Sequence, residues 1–296
     1  MLDVLGFGES SVDYVYIVPT LPRAGASKLP IASHDSSCGG QVATTIAACA
    51  ALGLRAGYLG AVGDDENGRR VREELNGRGV DLSRLVVRGA ATRYAVIMVE
   101  APTGERLVLW ERDPRLDLGP AEVSAEMVAG AKVVHLDATD EDASIGLARL
   151  ARSAGAIVTC DVDTVTGRTP VFLSLVSIPI LAAHVPRELT GVDNVEGALR
   201  AMRAQHSGLI CVTLGEEGSA ALDGDRFVHV PATSVGALDT TGAGDVFRAG
   251  FIYGLLRGWT VERMLRFGNA AAALSCTRRG AMDSAPDLRS VEAFLR

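Results

Sequence analysis

Short apolar runs recur along the chain with helix-length segments between them, and this alternation limits the fold more than any other feature of the sequence. Strand-like runs fall at residues 4–8, 56–62, 132–136, 156–161, 178–183 and 209–214. They are almost continuously apolar, the pattern of strands covered on both faces. Helical patterns lie between and after them, at 41–52 closed by Gly53, at 67–76 stopped by Gly77 and Gly79, and at 245–256 followed by Gly258. Strands separated by helices of this length predict βαβ units and a mainly parallel sheet. A chain of 296 residues has ample core for one large α/β domain or two small ones. Aromatic residues make up only 5%, while glycine reaches 33 positions, above the usual ~7%. Such a composition favours helices packed closely on a sheet over a β-sandwich.

Two stretches break the rhythm, residues 13–33 and 92–111. Tyr14, Tyr16 and Val18 alternate in the first, and Tyr94, Val96 and Met98 in the second, which also holds the hairpin-like Pro102-Thr103-Gly104-Glu105. Alternation predicts β-ribbons outside the parallel sheet, forming a small second layer that acts as a lid; hairpins on the edge of the main sheet are the alternative. No repeat, low-complexity tract or linker interrupts the chain, so one domain spanning 1–296, with the lid inserted, is the economical reading.

The net charge is −7, which argues against nucleic acid as a partner. Only Lys28 and Lys132 are lysines, and Gly-Lys-Ser/Thr occurs nowhere, which excludes a Walker-type phosphate loop. Charges such as those at 69–74 read as a solvated helix face. Cys38, Cys49, Cys160, Cys211 and Cys276 are odd in number and form no CxxC pair, so they read as thiols of a cytoplasmic protein. The first ten residues lack the basic start of a signal peptide and read as a first strand. The longest apolar-rich run, 171–185, is too short and interrupted to span a membrane.

The most informative local sequence is Asp239-Thr240-Thr241-Gly242-Ala243-Gly244-Asp245, which runs straight into a helical pattern. Small residues ahead of a helix expose unpaired N–H groups at the positive end of its dipole, making an anion site that needs no lysine. A carboxylate there, Asp245, either stabilises the helix end or accepts a proton from a hydroxyl attacking phosphorus. Cys38-Gly39-Gly40-Gln41-Val42-Ala43-Thr44 opens a small-residue helix; its twin glycines serve a turn or a close ligand approach. Val212-Thr213-Leu214-Gly215-Glu216-Glu217-Gly218 ends a strand in a glycine-spaced turn. Gly6-Phe7-Gly8 suggests a dinucleotide fingerprint, but Ser11 replaces the third glycine and a ribbon, not a helix, follows.

In this order and spacing the three motifs resemble the PfkB (ribokinase-like) family of sugar and nucleoside kinases, and the resemblance runs the length of the chain. Leu59-Gly60-Ala61-Val62-Gly63-Asp64-Asp65-Glu66-Asn67-Gly68 is similar to the family's LGxVGxDxxG segment, and Asp239 to Asp245 match its DTTGAGD signature throughout. The resemblance implies a three-layer α/β/α sandwich with a small β lid, and ATP-dependent phosphorylation of a hydroxyl on a small sugar or sugar derivative. Asp245 would be the general base, and Gly242, Ala243 and Gly244 the anion hole. Asp13, Gly39, Gly40, Gln41, Thr44 and Asp137 would hold the sugar; Thr213, Gly215, Gly218 and Asn269 would line the nucleotide pocket. Mg2+ is implied, with Glu188 as its carboxylate, and a monovalent cation such as K+ at Asp239, Thr241, Ser275, Arg278, Gly280 and Ser284.

Val185 stands where the family commonly has Asn three residues before Glu188, and Gln41 and Thr44 replace the Lys and Asn of ribokinase's GGKGAN. Arg248, one turn after Asp245, would contact phosphate or pair with an acid. Fructokinase, ribokinase and sulfofructose kinase are the branches suggested. A nucleoside kinase, using Tyr14, Tyr16, Tyr94 or Trp110 as a shelf for the base, and a catalytically silent sugar-binding protein are the alternatives. A homodimer formed through the lids is a further expectation of the resemblance.

Overall fold

A computed structural model describes residues 1–23, 25 and 28–296. Its strands are β1 (Leu2–Phe7), β2 (Ser11–Val18), β3 (Ser33–Gly39), β4 (Ala56–Gly63), β5 (Asp81–Arg88), β6 (Tyr94–Glu100), β7 (Arg106–Glu111), β8 (Ala131–Leu136), β9 (Ile157–Val162), β10 (Ile178–Ala182), β11 (Ile210–Thr213), β12 (Ser219–Asp223) and β13 (Arg226–Val230). Its helices are α1 (Gln41–Ala51), α2 (Glu66–Gly77), α3 (Ala125–Val128), α4 (Glu141–Ser153), α5 (Thr169–Leu175), α6 (Val185–Thr190), α7 (Val195–Met202), α8 (Ala243–Leu256), α9 (Val261–Ser275) and α10 (Leu288–Phe294).

Nine strands form the main sheet in the order β13-β12-β11-β10-β9-β8-β1-β4-β5. Pairing is parallel from β5 to β11, and antiparallel only where β12 and β13 close the far edge. All six apolar runs are strands of this sheet. Alternate residues of each strand feed two cores. Val4 and Tyr58 meet Ile46 of α1 and Ile252 of α8 on one face, while Leu5, Leu59 and Leu136 meet Leu147 of α4 on the other. The result is the expected three-layer α/β/α sandwich. Gly6 belongs to this packing, because a Cβ there would lie 2.3 Å from the Ile46 side chain. Its absence lets α1 lie close on the sheet.

β2, β3, β6 and β7 form a separate four-stranded sheet, ordered β3-β2-β6-β7, instead of extending the main one. Ala24, Ala26 and Ser27 of the first ribbon lie outside the described residues. One face of the small sheet carries Tyr14, whose hydroxyl donates to Asn67 Oδ1 at 2.6 Å and which packs against the core under α2. The opposite face carries Asp13, Val15 and Ile17 of β2 beside Ile97 and Val99 of β6. β1 is flanked by β4 on one side and β8 on the other, so the chain departs both ways from its carboxyl end. Open α/β sheets bind ligands at such switch points.

Candidate active site

A cavity of about 290 Å³ lies between the small sheet and the loops at 237–241 and 279–280. Asp13 is on its wall, and so are Asp239, Thr241 and Gly280. Asp239 folds these two loops together. Its Oδ1 accepts from Thr241 N at 2.9 Å and Thr241 Oγ1 at 2.7 Å, and its Oδ2 accepts from Gly280 N at 3.0 Å. Burial opposes its ionisation, but those three donors outweigh burial and hold the carboxyl below its ordinary range.

The loop delivers the chain into α8 through Gly242, whose φ of +75° suits a residue without a side chain. A Cβ on Gly242 would lie 3.0 Å from Ala281 and 3.2 Å from Thr44 Cγ2, so the start of α8 is wedged between α1 and the 280–281 loop. Ala243 N reaches Thr240 O at 3.3 Å, whereas the amides of Gly242, Gly244 and Asp245 find no acceptor among the described residues. Unpaired amides at a helix start are what an anion requires. Asp245 sits on this first turn, with its backbone carbonyl accepting from Thr45 Oγ1 at 3.2 Å. Its carboxyl is raised well above the ordinary value, first by burial and then by the charge of Asp161, against which Arg248 acts. Arg248 is 4% exposed and pairs with Asp161 at 2.5 Å, so of the two readings of this arginine the structure shows the ion pair.

The glycine pair at the end of β3 brings the substrate-side candidates together. A Cβ on Gly39 would fall 2.6 Å from Asp13 Oδ2, and one on Gly40 would fall 2.5 Å from Ser10 Cα. Asp13 takes one hydrogen bond from Ser11 Oγ at 3.2 Å, and burial, with Glu9 and Asp239 nearby, pushes its carboxyl up to about 6. A poorly hydrated carboxylate on a cavity wall favours a ligand hydroxyl as donor. Thr44 is fully buried beside Gly242, and its hydroxyl finds no partner among the described residues. Gln41 donates to Asp163 Oδ2 at 2.7 Å, across the site from α1 to the end of β9. Asp137 differs: it is fully buried and off the cavity wall. Its oxygens accept from Glu9 N at 2.6 Å and Thr139 N at 2.9 Å, and burial pushes its carboxyl to about 7. In this structure it shapes the β1–β2 turn.

The four nucleotide-side candidates converge on the exit of β13. Thr213 pairs with Ser219 across the β11–β12 turn, which is made by Gly215 (φ +61°) and Gly218 (φ +93°). A Cβ on Gly218 would lie 2.2 Å from Val230 O, and Asn269 Nδ2 donates to Val230 O at 2.9 Å and Pro231 O at 3.1 Å. Among the cation candidates, Asp239, Thr241 and Gly280 meet as described. Ser275 and Ser284 donate to Ala272 O and Ala281 O, while Arg278 is exposed and joins only through its amide on Ser275 O. Glu188 is exposed on α6, and Val185 before it is fully buried in the core. No three carboxylate, His or Cys side chains converge on a metal-sized point among the described residues. That donor set fits a Mg2+ carried chiefly by a nucleotide's phosphates, since Mg2+ commonly takes only one or two protein carboxylates.

Sequence reasoning assigned no role to Asp161 or Asp163. The available signal was a pair of acids closing an apolar strand. No described helix is long and apolar enough to cross a membrane.

Residues 1–288 match the family model described as pfkB family carbohydrate kinase. An ATP-dependent ribose-1-phosphate kinase from Halopiger xanaduensis is 34% identical over 298 residues, covering 100% of this chain and 98% of that protein. Fructokinase-1 of Oryza sativa subsp. japonica is 30% identical over 311 residues, covering 96% and 94%. Among solved structures, Arabidopsis thaliana ribokinase complexed with ribose and ATP superposes with a TM-score of 0.86 at 26% identity, covering 100% of this chain and 99% of that one.

Proposed function

Because the chain belongs to the pfkB family of carbohydrate kinases, with its ribokinase-like fold, and is a phosphotransferase with a hydroxyl acceptor, we propose that it moves the terminal phosphoryl group of ATP to a hydroxyl of a small sugar or sugar derivative, with Asp245 as general base. The observation that carries this reading is the half-buried Asp245 carboxylate on the same helix turn as the unpaired amides of Gly242 and Gly244. A raised carboxylate is a competent acceptor for a hydroxyl proton near neutral pH. As the acceptor oxygen bonds to phosphorus, its proton passes to Asp245 and the bond to the ADP oxygen breaks. Charge on the transferring group is met by the amides of Gly242 and Gly244, joined by Ala243 once Thr240 O is released. Bound Mg2+ would neutralise phosphate charge, with Glu188 the protein carboxylate read for it. The Asp239, Thr241, Ser275, Arg278, Gly280 and Ser284 loops are the proposed K+ site. Thr213, Gly215, Gly218 and Asn269 form the proposed nucleotide wall.

Asp13 and the Gly39-Gly40 backbone would hold sugar hydroxyls, with Gln41 and Thr44 behind them; for Asp137 we keep only the role of supporting that turn. None of Tyr14, Tyr16, Tyr94 and Trp110 lines the cavity, which favours a sugar over a nucleoside. Arg106 and Arg279 are on the wall with no carboxylate partner among the described residues. They suit an acidic or phosphorylated sugar, in line with the name of the Halopiger relative. The test is ATP consumption with ketoses, aldoses, ribose 1-phosphate, sugar acids and nucleosides. A sugar or sugar phosphate should be the preferred acceptor; a nucleoside preference, or no acceptor-dependent ADP release, overturns the reading.

We assign the small sheet as a lid over the cavity, within a single kinase domain, and pair it with the lid of a second copy. β7 is an edge strand whose Val108, Leu109 and Trp110 are 49%, 53% and 73% exposed. An apolar edge of this kind attracts a partner. Sedimentation should give a dimer that Trp110→Asp converts to monomer; a monomer mass at every concentration overturns it. The five free cysteines, four of them buried, support a cytoplasmic location.

A further inference from the structure

We propose that Asp161 and Arg248 are a positioning pair for Asp245: Arg248, anchored by Asp161, shares its guanidinium with Asp245 and keeps that carboxylate ionised with a lone pair free for the substrate hydroxyl. The inference rests on Asp245 being the base. Arg248 follows Asp245 by one turn of α8, and Asp161 lies on β9 beneath it. Arg248 and Asp161 side chains are 5% and 2% exposed. Nη2 of Arg248 is 2.5 Å from Asp161 Oδ1, while Nη1 is 3.7 Å from Asp245 Oδ1. Gly244 makes room for this arrangement, since a Cβ there would lie 2.8 Å from Nη1.

The two distances do different work. At 3.7 Å the guanidinium favours a charged Asp245 but lies beyond hydrogen-bond reach, so Arg248 itself takes no acceptor lone pair from it. A buried arginine with one carboxylate for a partner would close on it in a bidentate pair. Asp161 supplies the second carboxylate and holds Arg248 back. The other groups around Asp245 do not replace this cation. Asp163 follows Asp161 at the end of β9, and Glu9 of the β1–β2 turn is occupied by Arg93 at 2.8 Å. His135 of β8 is fully buried, with burial first and Arg248 second pushing its pKa down to about 3, so it stays neutral. Burial, the charge of Asp161, a hydrogen bond between the Asp161 and Asp245 carboxyls and the charge of Glu9 all favour a protonated base, and Arg248 is the group that opposes them.

The test is the pH profile of kcat/KM for wild type, Arg248→Met and Asp161→Asn, with ATP and either fructose or ribose 1-phosphate, whichever is consumed. Arg248→Met should move the acid limb up by about 1–3 pH units, the range an opposite charge at this distance imposes. Asp161→Asn, which keeps an oxygen for Arg248, should move it down and lower the plateau as Arg248 closes on Asp245. Arg248→Lys should leave the limb near the wild-type position. Opposite displacements support the pair; equal losses of activity with unmoved limbs make it merely structural and overturn the proposal. If Arg248→Met does not fold, the direction of the Asp161→Asn limb decides alone. Asp245→Asn, run beside them, separates the two levels. An active Asp245→Asn sinks the base itself, whereas an inactive one with unmoved limbs sinks only the pair.

Discussion

Asp245→Asn should lower turnover by about 10²–10⁴, the worth of a positioned general base, while the KM for ATP stays within a few-fold of wild type. The expectation follows from what the substitution leaves in place. Asn is close to Asp in shape, and the unpaired amides of Gly242 and Gly244 belong to the backbone. The fold should not suffer, because the change removes one of two carboxylates around Arg248 and leaves the buried one, Asp161. The sign with pH is definite. Burial raises the folded-state pKa of Asp245, so its contribution to stability is full below its ordinary value of 3.8 and is lost as pH climbs through the raised value. The melting advantage of Asp245→Asn over wild type should therefore grow from pH 5 to pH 8. Steady-state kinetics and a melting series in those buffers check both halves. Near-wild-type turnover would remove Asp245 from the mechanism, and an unfolded variant would contradict the electrostatics.

Gly40→Ala should cost stability and substrate binding together. Gly40 has φ +92°, a region where a side chain is strained, and its Cβ would fall 2.5 Å from Ser10 Cα and 2.6 Å from Glu9 O. These are backbone atoms, so no rotamer change relieves the clash. Strained backbone of this kind costs about 1–3 kcal/mol before any overlap. The shift would displace the β1–β2 turn that leads into Asp13 and the helix start that carries Gln41 and Thr44. We expect a sugar KM raised about tenfold or more, the equivalent of ~1.4 kcal/mol, and a lowered melting temperature. Gly53→Ala is the control: φ is +84°, but nothing lies within 4 Å of its Cβ. It should lose some stability and keep its KM. Equal behaviour of the two variants would mean that the close approach at Gly40 has no functional weight.

Local features of this molecule were legible in the sequence, and long-range pairings were not. The βαβ rhythm shows because both faces of a central strand must be apolar, as in β1, β4 and β8. The edge strand β5 was missed because Arg84 and Arg88 break its apolar run, β12 because Ser219 and Asp223 bound only three apolar residues, and β13 because Arg226 and His229 interrupt its run. Gly224-Asp225 between those two is a hairpin signal that could have found them. The turn with unpaired amides ahead of α8 was visible because small residues at a helix start leave N–H groups free. Asp161 with Arg248 was invisible, since each is an ordinary residue until β9 and α8 are stacked. Asp137 shows the opposite limit. Resemblance assigned it to the sugar, and only the fold shows that its oxygens accept from the amides of Glu9 and Thr139.

The wedging of Gly242 between Thr44 and Ala281 has a mechanical meaning. The turn proposed to hold phosphate is the joint between two arms, one carrying α1, the other the loops clasped by Asp239. Neither arm can swing without moving the joint. On the proposed function, occupancy at either end would bear on the same amides at the start of α8, so no separate relay would be required to register that both are filled.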